Sequence, residues 1–390
     1  MVKKNALIIF GGNSYEHEIS IITALIIYNN SRKSVYNLIP VYIDRNNEWF
    51  FYEQNNIKIQ MFKDFKQNYK KNGFKKIYFK LNQNAIFYKK RLKEVKIDID
   101  VCLNCCHGGE GENGDIISFL KLHNILVSSA SSTALGVCMN KSLTKIFAKG
   151  LNIPTLKFDV LSKDMFEENS ELINDIALKI GYPIIIKPLN LGSSIGIDIV
   201  NNEQALKEKL EIAFSFDNQV LIEKAIVQNM EEYNVACMLD NNQIIVSQID
   251  KPIRKGDILS FNDKYVGDCK NDNNCNNHSL KVGKFGSKAQ YLSKKELGVG
   301  ISSKIKRKIQ FYSKKIYQKL GLSGVVRIDF IGQKEKIFLN EINAVPGSLA
   351  YYFFVPYNFK NVSSYIDAIL NQTLKNKQQQ TNKEYITKLI

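Results

Sequence analysis

The sequence predicts an α/β fold, with α+β parts, that is divided into three domains. Three observations lead to this prediction. The chain has 390 residues, more than a single hydrophobic core usually holds. Near its start, an apolar run at residues 6–10, a Gly-Gly turn and a helix are typical of the first unit of an open α/β sheet. Far along the chain, residues 327–343 have the pattern of a β-hairpin that carries several charged side chains.

The first strand and helix indicate a ligand site at the start of the chain. Gly11 and Gly12 form a tight turn after the apolar strand, and the helix begins near Glu16. Open α/β sheets bind ligands beyond the carboxyl ends of their strands, so Glu16 is well placed to hold a cationic group. The alternative is a helix-terminal glutamate that only complements the helix dipole. The glycine spacing of a dinucleotide-binding turn is absent.

A second candidate site follows a buried strand at residues 97–105. Beyond this strand come His107, a glycine-rich loop at residues 108–115 and a helix at residues 116–123. Glycines let a backbone approach a ligand closely, and the N-terminus of a helix favours anions. His107 is therefore a candidate ligand-binding residue, with a structural role as the alternative. The preceding stretch shows no comparable chemistry and contains a predicted hairpin at residues 75–90.

Composition limits the classes of partner. The chain has 54 Lys and Arg against 38 Asp and Glu, a net charge of +16. The lysines are dispersed rather than gathered into a stripe with stacking aromatics, so a nucleic-acid partner is not expected. No stretch reaches the roughly 20 apolar residues of a membrane span, and no cleavable signal segment follows Met1. We therefore expect a cytosolic protein without a membrane partner. Its oligomeric state stays open, with a homodimer as one alternative.

The seven cysteines are expected to be free thiols, because disulfides are rare in the cytosol. Two groups of cysteine and histidine residues have neither the spacing of a haem-attachment motif nor that of a zinc site. These groups are Cys102, Cys105 and Cys106 with His107, and Cys269 and Cys275 with His278. Buried strand ends and loops are the favoured explanation for these cysteines.

The second domain begins after a run of small polar residues and contains a candidate phosphate site. A helix through Lys141 is predicted to end at Gly150. The strand at residues 184–186 places Lys187 before a loop rich in glycine and serine, residues 189–196. Backbone amides and hydroxyls of such a loop can bond phosphate oxygens, although the residue order is not that of a P-loop. The predicted domains cover residues 1–128, 129–223 and 224–390.

The hairpin near the end of the chain predicts a metal site. Side chains alternate across a strand, so Arg327 and Asp329 share one face, and Glu341 and Asn343 share one face of the return strand. The turn brings the two faces together, which would be costly unless cations or phosphates lay between them. Two carboxylates and an amide oxygen suit Mg²⁺. Any one of these residues alone is more typical of a solvated surface, but the four together favour a site for a nucleotide and its metal.

Taken together, these motifs resemble the D-alanine–D-alanine ligase family of ATP-grasp enzymes, and the resemblance covers nearly the whole chain. The similar segments are residues 11–20 (the family's opening motif), residues 107–115 (its second motif), Lys141 and Lys187 (two phosphate lysines), residues 192–196 (the loop over the phosphates), residues 223–232 (adenine and ribose), Lys264 with Tyr265 (a closing loop), and the hairpin at residues 327–343.

The resemblance implies a three-domain ATP-grasp fold with an N-terminal open α/β sheet and with nucleotide between the central and C-terminal domains. It implies ATP and two Mg²⁺ or Mn²⁺ ions, and the ligation of two D-alanine molecules through an acyl phosphate for peptidoglycan precursor synthesis. The implied residues are Glu16, Ser193, Arg327 and Tyr265 for catalysis; Glu16, His107, Arg327, Gly347 and Ser348 for substrate; Lys141, Lys187, Ser193, Ser194, Glu223, Lys224, Ile226, Glu232 and Lys264 for ATP; and Asp329, Glu341 and Asn343 for metal.

Two features depart from the family's pattern. Tyr352 stands where the family has a small hydroxyl residue that helps to bind the carboxylate of the second substrate, and the phenol or Ser348 is the candidate replacement. Residues 267–286 expand the closing loop, and residues 256–296 are expected to act as a mobile lid. A related ligase with another acceptor, such as D-lactate, is the alternative activity.

Overall fold

Three β-sheets organise the part of the chain that the structure, a computed structural model, describes. The described residues are 3–54, 56–169, 171–252, 297–355 and 357–381. Within them, the sheets have seven, four and four strands and follow one another along the chain. This architecture confirms the predicted mixed α/β class. The predicted lid at residues 256–296, with Lys264 and Tyr265, lies outside the described residues.

The first sheet is the N-terminal open sheet that the sequence predicts. Its strands are β1 (Asn5–Gly11), β2 (Asn37–Ile43), β3 (Trp49–Tyr52), β4 (Phe74–Tyr78), β5 (Ala85–Lys90), β6 (Lys93–Asp98) and β7 (Val101–Asn104). The spatial order is β6-β5-β4-β3-β2-β1-β7, and β1 runs parallel to both β2 and β7. Alternate residues of β1 enter two different cores, with Ile8 in one and Ile9 in the other. Both faces of the strand are thus covered, which explains its unbroken apolar run. Strands β4 and β5 form the predicted hairpin.

Helices accompany the first sheet and lead to the second. They are α1 (His17–Asn30), α2 (Phe65–Asn68), α3 (Gly109–Glu112), α4 (Asp115–Leu122), α5 (Ser132–Met139) and α6 (Lys141–Gly150), with a 3₁₀ turn at Ile59–Phe62.

The helix predicted around Lys141 is in fact two helices. Asn140 ends α5, and its side-chain Oδ1 accepts a hydrogen bond from the backbone N–H of Leu143 (3.0 Å), which caps the start of α6. The prediction that Gly150 is the C-terminal cap was wrong, because Gly150 is the last residue of α6 and Leu151 follows as the cap. The break gives Lys141 the first position of α6.

One face of the second sheet carries the hydrophobic core that its helices cover. Its strands are β8 (Phe158–Ser162), β9 (Ile184–Pro188), β10 (Asp198–Val200) and β11 (Gln219–Lys224), in the order β10-β9-β11-β8, and its helices are α7 (Lys163–Glu168), α8 (Leu172–Ile180) and α9 (Glu203–Phe214). Ile186 of β9 and Ile222 of β11 belong to the core that the helices cover. Because side chains alternate along a strand, Lys187 and Glu223 lie on the opposite face.

The third sheet shares a core with α5 and α6. Its strands are β12 (Met230–Asp240), β13 (Gln243–Val246), β14 (Val325–Gln333) and β15 (Lys336–Asn343), in the order β13-β12-β14-β15. Helix α10 (Ser303–Lys319) packs on the same face of this sheet, where Leu135, Ile309 and Ile328 are buried together. The domain limits predicted from the sequence stay a proposal.

The end of the described chain returns to the first sheet. A 3₁₀ turn (Gly347–Ala350), α11 (Tyr351–Phe354) and α12 (Val362–Thr381) follow β15. Ile366 of α12 lies in one core with Ile8 of β1 and Met238 of β12. The first and third sheets are therefore joined by a common hydrophobic core. Among the described helices, none combines the length and apolar character needed to cross a membrane.

The prediction of free, buried cysteines is confirmed for those in the described ranges. These are Cys102, Cys105, Cys106, Cys138 and Cys237. Within the same ranges, no group of three His, Cys, Asp or Glu side chains is arranged to hold a metal ion. Cys269, Cys275 and His278 lie outside the described residues.

Candidate active site

A tight turn after β1 places Glu16 at the edge of the first sheet. Gly11 has a φ of +95°, and a Cβ there would lie 2.1 Å from the carbonyl oxygen of Ile43, so only glycine fits. The chain then enters α1 at Glu16, which is only 8% exposed. The hydroxyl of Ser193 donates a hydrogen bond to Oε1 of Glu16. The first turn and the glycine-serine loop of the second sheet thus meet at this carboxylate.

His107 connects the first sheet with the segment that follows β15. Its Nε2 lies 2.8 Å from Oγ1 of Thr23, which also accepts a hydrogen bond from the backbone N–H of Ser348 (3.0 Å). Burial lowers the pKa of His107 to about 4, although a hydrogen bond with the Val345 backbone acts in the opposite direction and raises it. The imidazole is therefore neutral near pH 7, donating to the Val345 carbonyl and accepting from Thr23. His107 holds the segment around Ser348 in place.

Glu112 makes a second connection between the same two segments. One of its carboxylate oxygens accepts from the backbone N–H of Gly108, and the other accepts from the backbone N–H of Val345, both at 2.9 Å. Burial, assisted by the negative charge of Glu16, raises the pKa of Glu112 to about 8. Sequence reasoning did not select Glu112 as a site residue, although it lies in the glycine-rich loop. Its position between two backbone amides could not be read from that loop alone.

Two lysines predicted to bind phosphate are buried beside the second sheet. The ammonium of Lys141 donates to the carbonyl oxygens of Pro188 (3.0 Å), Leu189 (3.3 Å) and Leu191. Burial lowers its pKa to about 8, and the charge of nearby Lys187 acts in the same direction. Lys141 thus holds the loop that contains Ser193 and also lines the cleft described below.

Lys187 belongs to a buried charged network that the sequence did not reveal. Its ammonium lies 2.8 Å from Oε2 of Glu223 and 3.0 Å from Oδ1 of Asn340. The other carboxylate oxygen of Glu223 pairs with the ammonium of Lys145. Burial alone would raise the pKa of Glu223, but the two lysines outweigh it and the pKa is lowered. Lys145 lies four residues after Lys141, a spacing that puts both on one side of a helix and could have indicated its role.

The other residues predicted to bind ATP differ from one another in conformation, contacts and burial. Ser193 and Ser194 have positive φ angles of +54° and +61°. The ammonium of Lys224 donates to the backbone oxygens of Gly181 (3.1 Å) and Tyr182. Ile226 is half-buried beyond the end of β11. Glu232 lies on β12, opposite Ile331 of β14. The Glu223 and Lys224 side chains are thus bound to protein groups.

The predicted hairpin is confirmed, and its register pairs Arg327 with Asn343 and Asp329 with Glu341. Nε and Nη2 of Arg327 donate to the two carboxylate oxygens of Asp329 at 2.8 and 2.7 Å. The amide of Asn343 donates to Oδ2 of the same carboxylate (3.0 Å). A β-bulge after Asp329 shifts the pairing and leaves Asn340 as the extra residue. That shift, which regular alternation does not predict, places Asn340 against Lys187.

A cleft that is open to solvent unites most of these groups. The residues that line it include Glu16, His107, Glu112, Lys141, Arg327, Glu341, Asn343 and Gly347. Tyr352 forms a side-chain hydrogen bond with Arg327, and burial raises the pKa of its phenol. The structure therefore brings together in this cleft the carboxylate at the first turn, the buried Lys141 and the hairpin, whereas Lys187 is not among its lining residues. Lys264 and Tyr265 lie outside the described residues.

The second and third sheets define an ATP-grasp enzyme: Lys187 of the second sheet contacts Asn340 of the third, and the third sheet contains the charged hairpin of β14 and β15. Residues 5–129 match the family model described as D-ala D-ala ligase N-terminus, and residues 147–375 match that described as D-ala D-ala ligase C-terminus. The chain belongs to the D-alanine–D-alanine ligase family.

Individual relatives agree in sequence and in fold. The chain is 34% identical to the D-alanine–D-alanine ligase of Campylobacter lari over 89% of this chain and 88% of that protein. The crystal structure of the D-alanine–D-alanine ligase from Helicobacter pylori is 26% identical and has a TM-score of 0.71, covering 94% of this chain and 98% of that one. The D-alanyl-alanine synthetase A of Vibrio cholerae is 25% identical, with a TM-score of 0.74, covering 96% and 100%.

Proposed function

We propose that this chain joins two D-alanine molecules into D-alanyl-D-alanine and cleaves ATP to ADP and phosphate. The observation that carries the proposal is the cleft in which a carboxylate, Glu16, and two cations, Lys141 and Arg327, line the same space. An amino acid carries an ammonium and a carboxylate, and it finds a partner of opposite charge for each. The chemistry of family members and the expected cytosolic supply of ATP agree with this activity.

Glu16 binds the ammonium of the first D-alanine. The hydroxyl of Ser193 holds the carboxylate of Glu16 in place through its hydrogen bond. Lys141 and Lys187 bind the phosphates of ATP through charge-assisted hydrogen bonds. The backbone around Ser194 lies over the phosphates, while residues 223–232 hold adenine and ribose. His107, Gly347 and Ser348 shape the wall beside the amino acids, since His107 and Thr23 fix that segment.

The reaction proceeds in two steps. A carboxylate oxygen of the first D-alanine attacks the γ-phosphorus of ATP, and ADP leaves. The amine nitrogen of the second D-alanine then attacks the carbonyl carbon of the acyl phosphate, the amine loses a proton, and phosphate leaves with the C–O electron pair. Arg327 stabilises the negative charge that develops on the transferred phosphoryl group and on the tetrahedral oxygen. The protein acts by alignment and charge stabilisation.

Asp329, Glu341 and Asn343 have the chemistry of a magnesium site. Their side chains offer carboxylate and amide oxygens, which Mg²⁺ and Mn²⁺ prefer. The register of β14 and β15 sets Asp329 directly opposite Glu341, so the donors are close neighbours. We propose that these residues hold two divalent ions, which when bound neutralise the charge of the ATP phosphates.

Phosphate release from the purified full chain tests the proposal. ATP with Mg²⁺ is combined with D-alanine, L-alanine, other D-amino acids or D-lactate plus D-alanine, and the products are identified by mass spectrometry. We expect D-alanyl-D-alanine with one phosphate released per dipeptide. Release that depends on another acceptor, or an ester from D-lactate as the main product, would replace this activity by that of a related ligase. Sedimentation of the same sample tests whether the enzyme is a homodimer.

A further inference from the structure

Lys145, Lys187 and Glu223 form a network in which one carboxylate serves two ammonium groups. The side chains of Lys145, Lys187 and Glu223 are 1%, 7% and 0% exposed, respectively. Each oxygen of Glu223 contacts a different lysine, Oε1 that of α6 and Oε2 that of β9. The network therefore has two positive charges and one negative charge in a space that water scarcely reaches.

One buried positive charge without a negative partner costs free energy unless a bound anion neutralises it. The location of the surplus follows from the contacts. Lys145 lies deeper, with Glu223 as its carboxylate partner. Lys187 also reaches Asn340 of β15, which precedes Glu341 of the cleft. Lys187 is close enough to Lys141 for its charge to lower the pKa of Lys141. The charge of Lys187 is thus the part of the network nearest the cleft.

We propose that Lys145 is a positioning residue for the nucleotide phosphates, because it neutralises Glu223 and so leaves the charge of Lys187 for phosphate. This role rests on the proposed use of ATP. Without Lys145, Glu223 and Lys187 form a one-to-one pair, and phosphate must then compete with a buried carboxylate for the same ammonium. The side chain of Glu223 accordingly sets the charge of the phosphate site, whatever its backbone contributes to adenine binding.

The test measures binding of ADP with Mg²⁺, and separately of adenosine, to full-length variants by calorimetry. Lys145→Met should weaken ADP binding by about tenfold or more, because it removes the benefit of a charge-assisted hydrogen bond. Adenosine, which has no phosphate, should bind as it does to the wild type. Lys149→Met is the matched control, since Lys149 lies one turn further along α6 and is exposed; it should leave both affinities unchanged.

The double variant Lys145→Met/Glu223→Gln separates this role from a purely structural one. It removes one positive and one negative charge, so Lys187 again has no competing carboxylate, and ADP affinity should return to within about threefold of the wild type. A double variant that binds ADP no better than Lys145→Met, or a Lys145→Met variant with wild-type ADP affinity, would overturn the proposal. If Lys145→Met does not fold, near-wild-type ADP binding by the double variant supports the charge argument and a tenfold loss refutes it. Dipeptide formation by the wild type, measured separately, tests the proposed function itself.

Discussion

The hydroxyl of Ser193 donates a hydrogen bond to Oε1 of Glu16, and this bond connects residues that are 177 positions apart in the chain. It joins the turn after β1 to the loop after β9. A Cβ on the neighbouring Gly192 would lie 2.8 Å from the other carboxylate oxygen, so the loop approaches Glu16 closely on both sides. Glu16 and the glycine-serine loop at residues 189–196 are thereby held in direct contact.

Glu16→Gln should raise KM for D-alanine by about tenfold or more, because the amide cannot replace a charged hydrogen bond to the substrate ammonium. The affinity for ADP should change much less, since the amide oxygen of glutamine can still accept the hydrogen bond from Ser193. Initial rates of phosphate release against D-alanine concentration check this. Glu18→Gln is the control, because the side chain of Glu18 is 45% exposed and pairs with Arg45 at 2.6 Å. Equal KM values for the two variants would exclude Glu16 as the ammonium site.

Glu341→Gln should lower turnover by about a hundredfold or more while the fold is retained, because it removes a carboxylate of the proposed metal site. Rates are measured over a range of Mg²⁺ concentrations, and circular dichroism reports the fold. Glu335→Gln tests a carboxylate of the same hairpin that is exposed and pairs with Lys304. It should behave as the wild type. Wild-type rates of Glu341→Gln at limiting Mg²⁺ would remove Glu341 from the metal site.

His107 should make the folded protein less stable as the pH falls below about 6.5. Its pKa is about 4 in the folded protein, so the unfolded chain takes up this proton first. The stabilisation is fully present above the unfolded pKa and is lost as the pH falls towards 4, by about 3 kcal/mol in total. Urea unfolding of the wild type and His107→Gln at several pH values measures this difference.

The wild-type profile alone does not isolate His107. The pKa of Glu112 is raised to about 8 in the folded protein, so protonation of this carboxyl stabilises the folded state. That stabilisation is fully present below the ordinary pKa of a glutamate and is lost as the pH rises towards 8. Only the difference between wild type and His107→Gln removes this opposing slope. Parallel profiles of the two proteins would show that His107 takes up its proton equally in both states.

Local patterns explain what could be predicted from the sequence. The two strands of the hairpin are joined by a short turn, so alternation alone brings Asp329 opposite Glu341. The apolar run of β1 and the glycines after it likewise set the position of Glu16. Glu16, Ser20 and Thr23 are buried polar residues whose spacing puts them on one side of α1. Ser20 and Thr23 on this side contact His107.

Contacts between distant elements explain what could not be predicted. The pair of Lys145 and Glu223 joins residues 78 positions apart, and no local pattern specifies which lysine a buried carboxylate meets. The bulge at Asn340 adds one residue to an otherwise regular alternation. Asn140 ends one helix and caps the next because its side chain competes for backbone amides, whereas the surrounding residues favour a continuous helix.

Tyr352 should act through Arg327, to which it is hydrogen-bonded. Tyr352→Phe should lower kcat/KM for D-alanine by roughly three- to tenfold, since the guanidinium loses a partner that fixes its position. ADP affinity should not change. Tyr351→Phe is the control, because its ring lies next to that of Tyr352, with 6.0 Å between centroids. If the two variants have the same kcat/KM, the phenol of Tyr352 has no part in acceptor use.

D-Alanine should be preferred to D-lactate as the acceptor, and the preference should depend on pH. The amine of the second D-alanine must attack as the free base, and cationic groups around it disfavour the ammonium form. Lys141 and Arg327 line the cleft and supply such a field. The rate of dipeptide formation should therefore rise from about pH 6 to about pH 8, by up to about tenfold per pH unit. D-Lactate has no amine to deprotonate, so ester formation should lack this rise and stay slower throughout. Mass spectrometry of both products from one mixture gives the ratio directly. More ester than dipeptide at about pH 6 would show that the site accepts a hydroxyl nucleophile in preference to an amine.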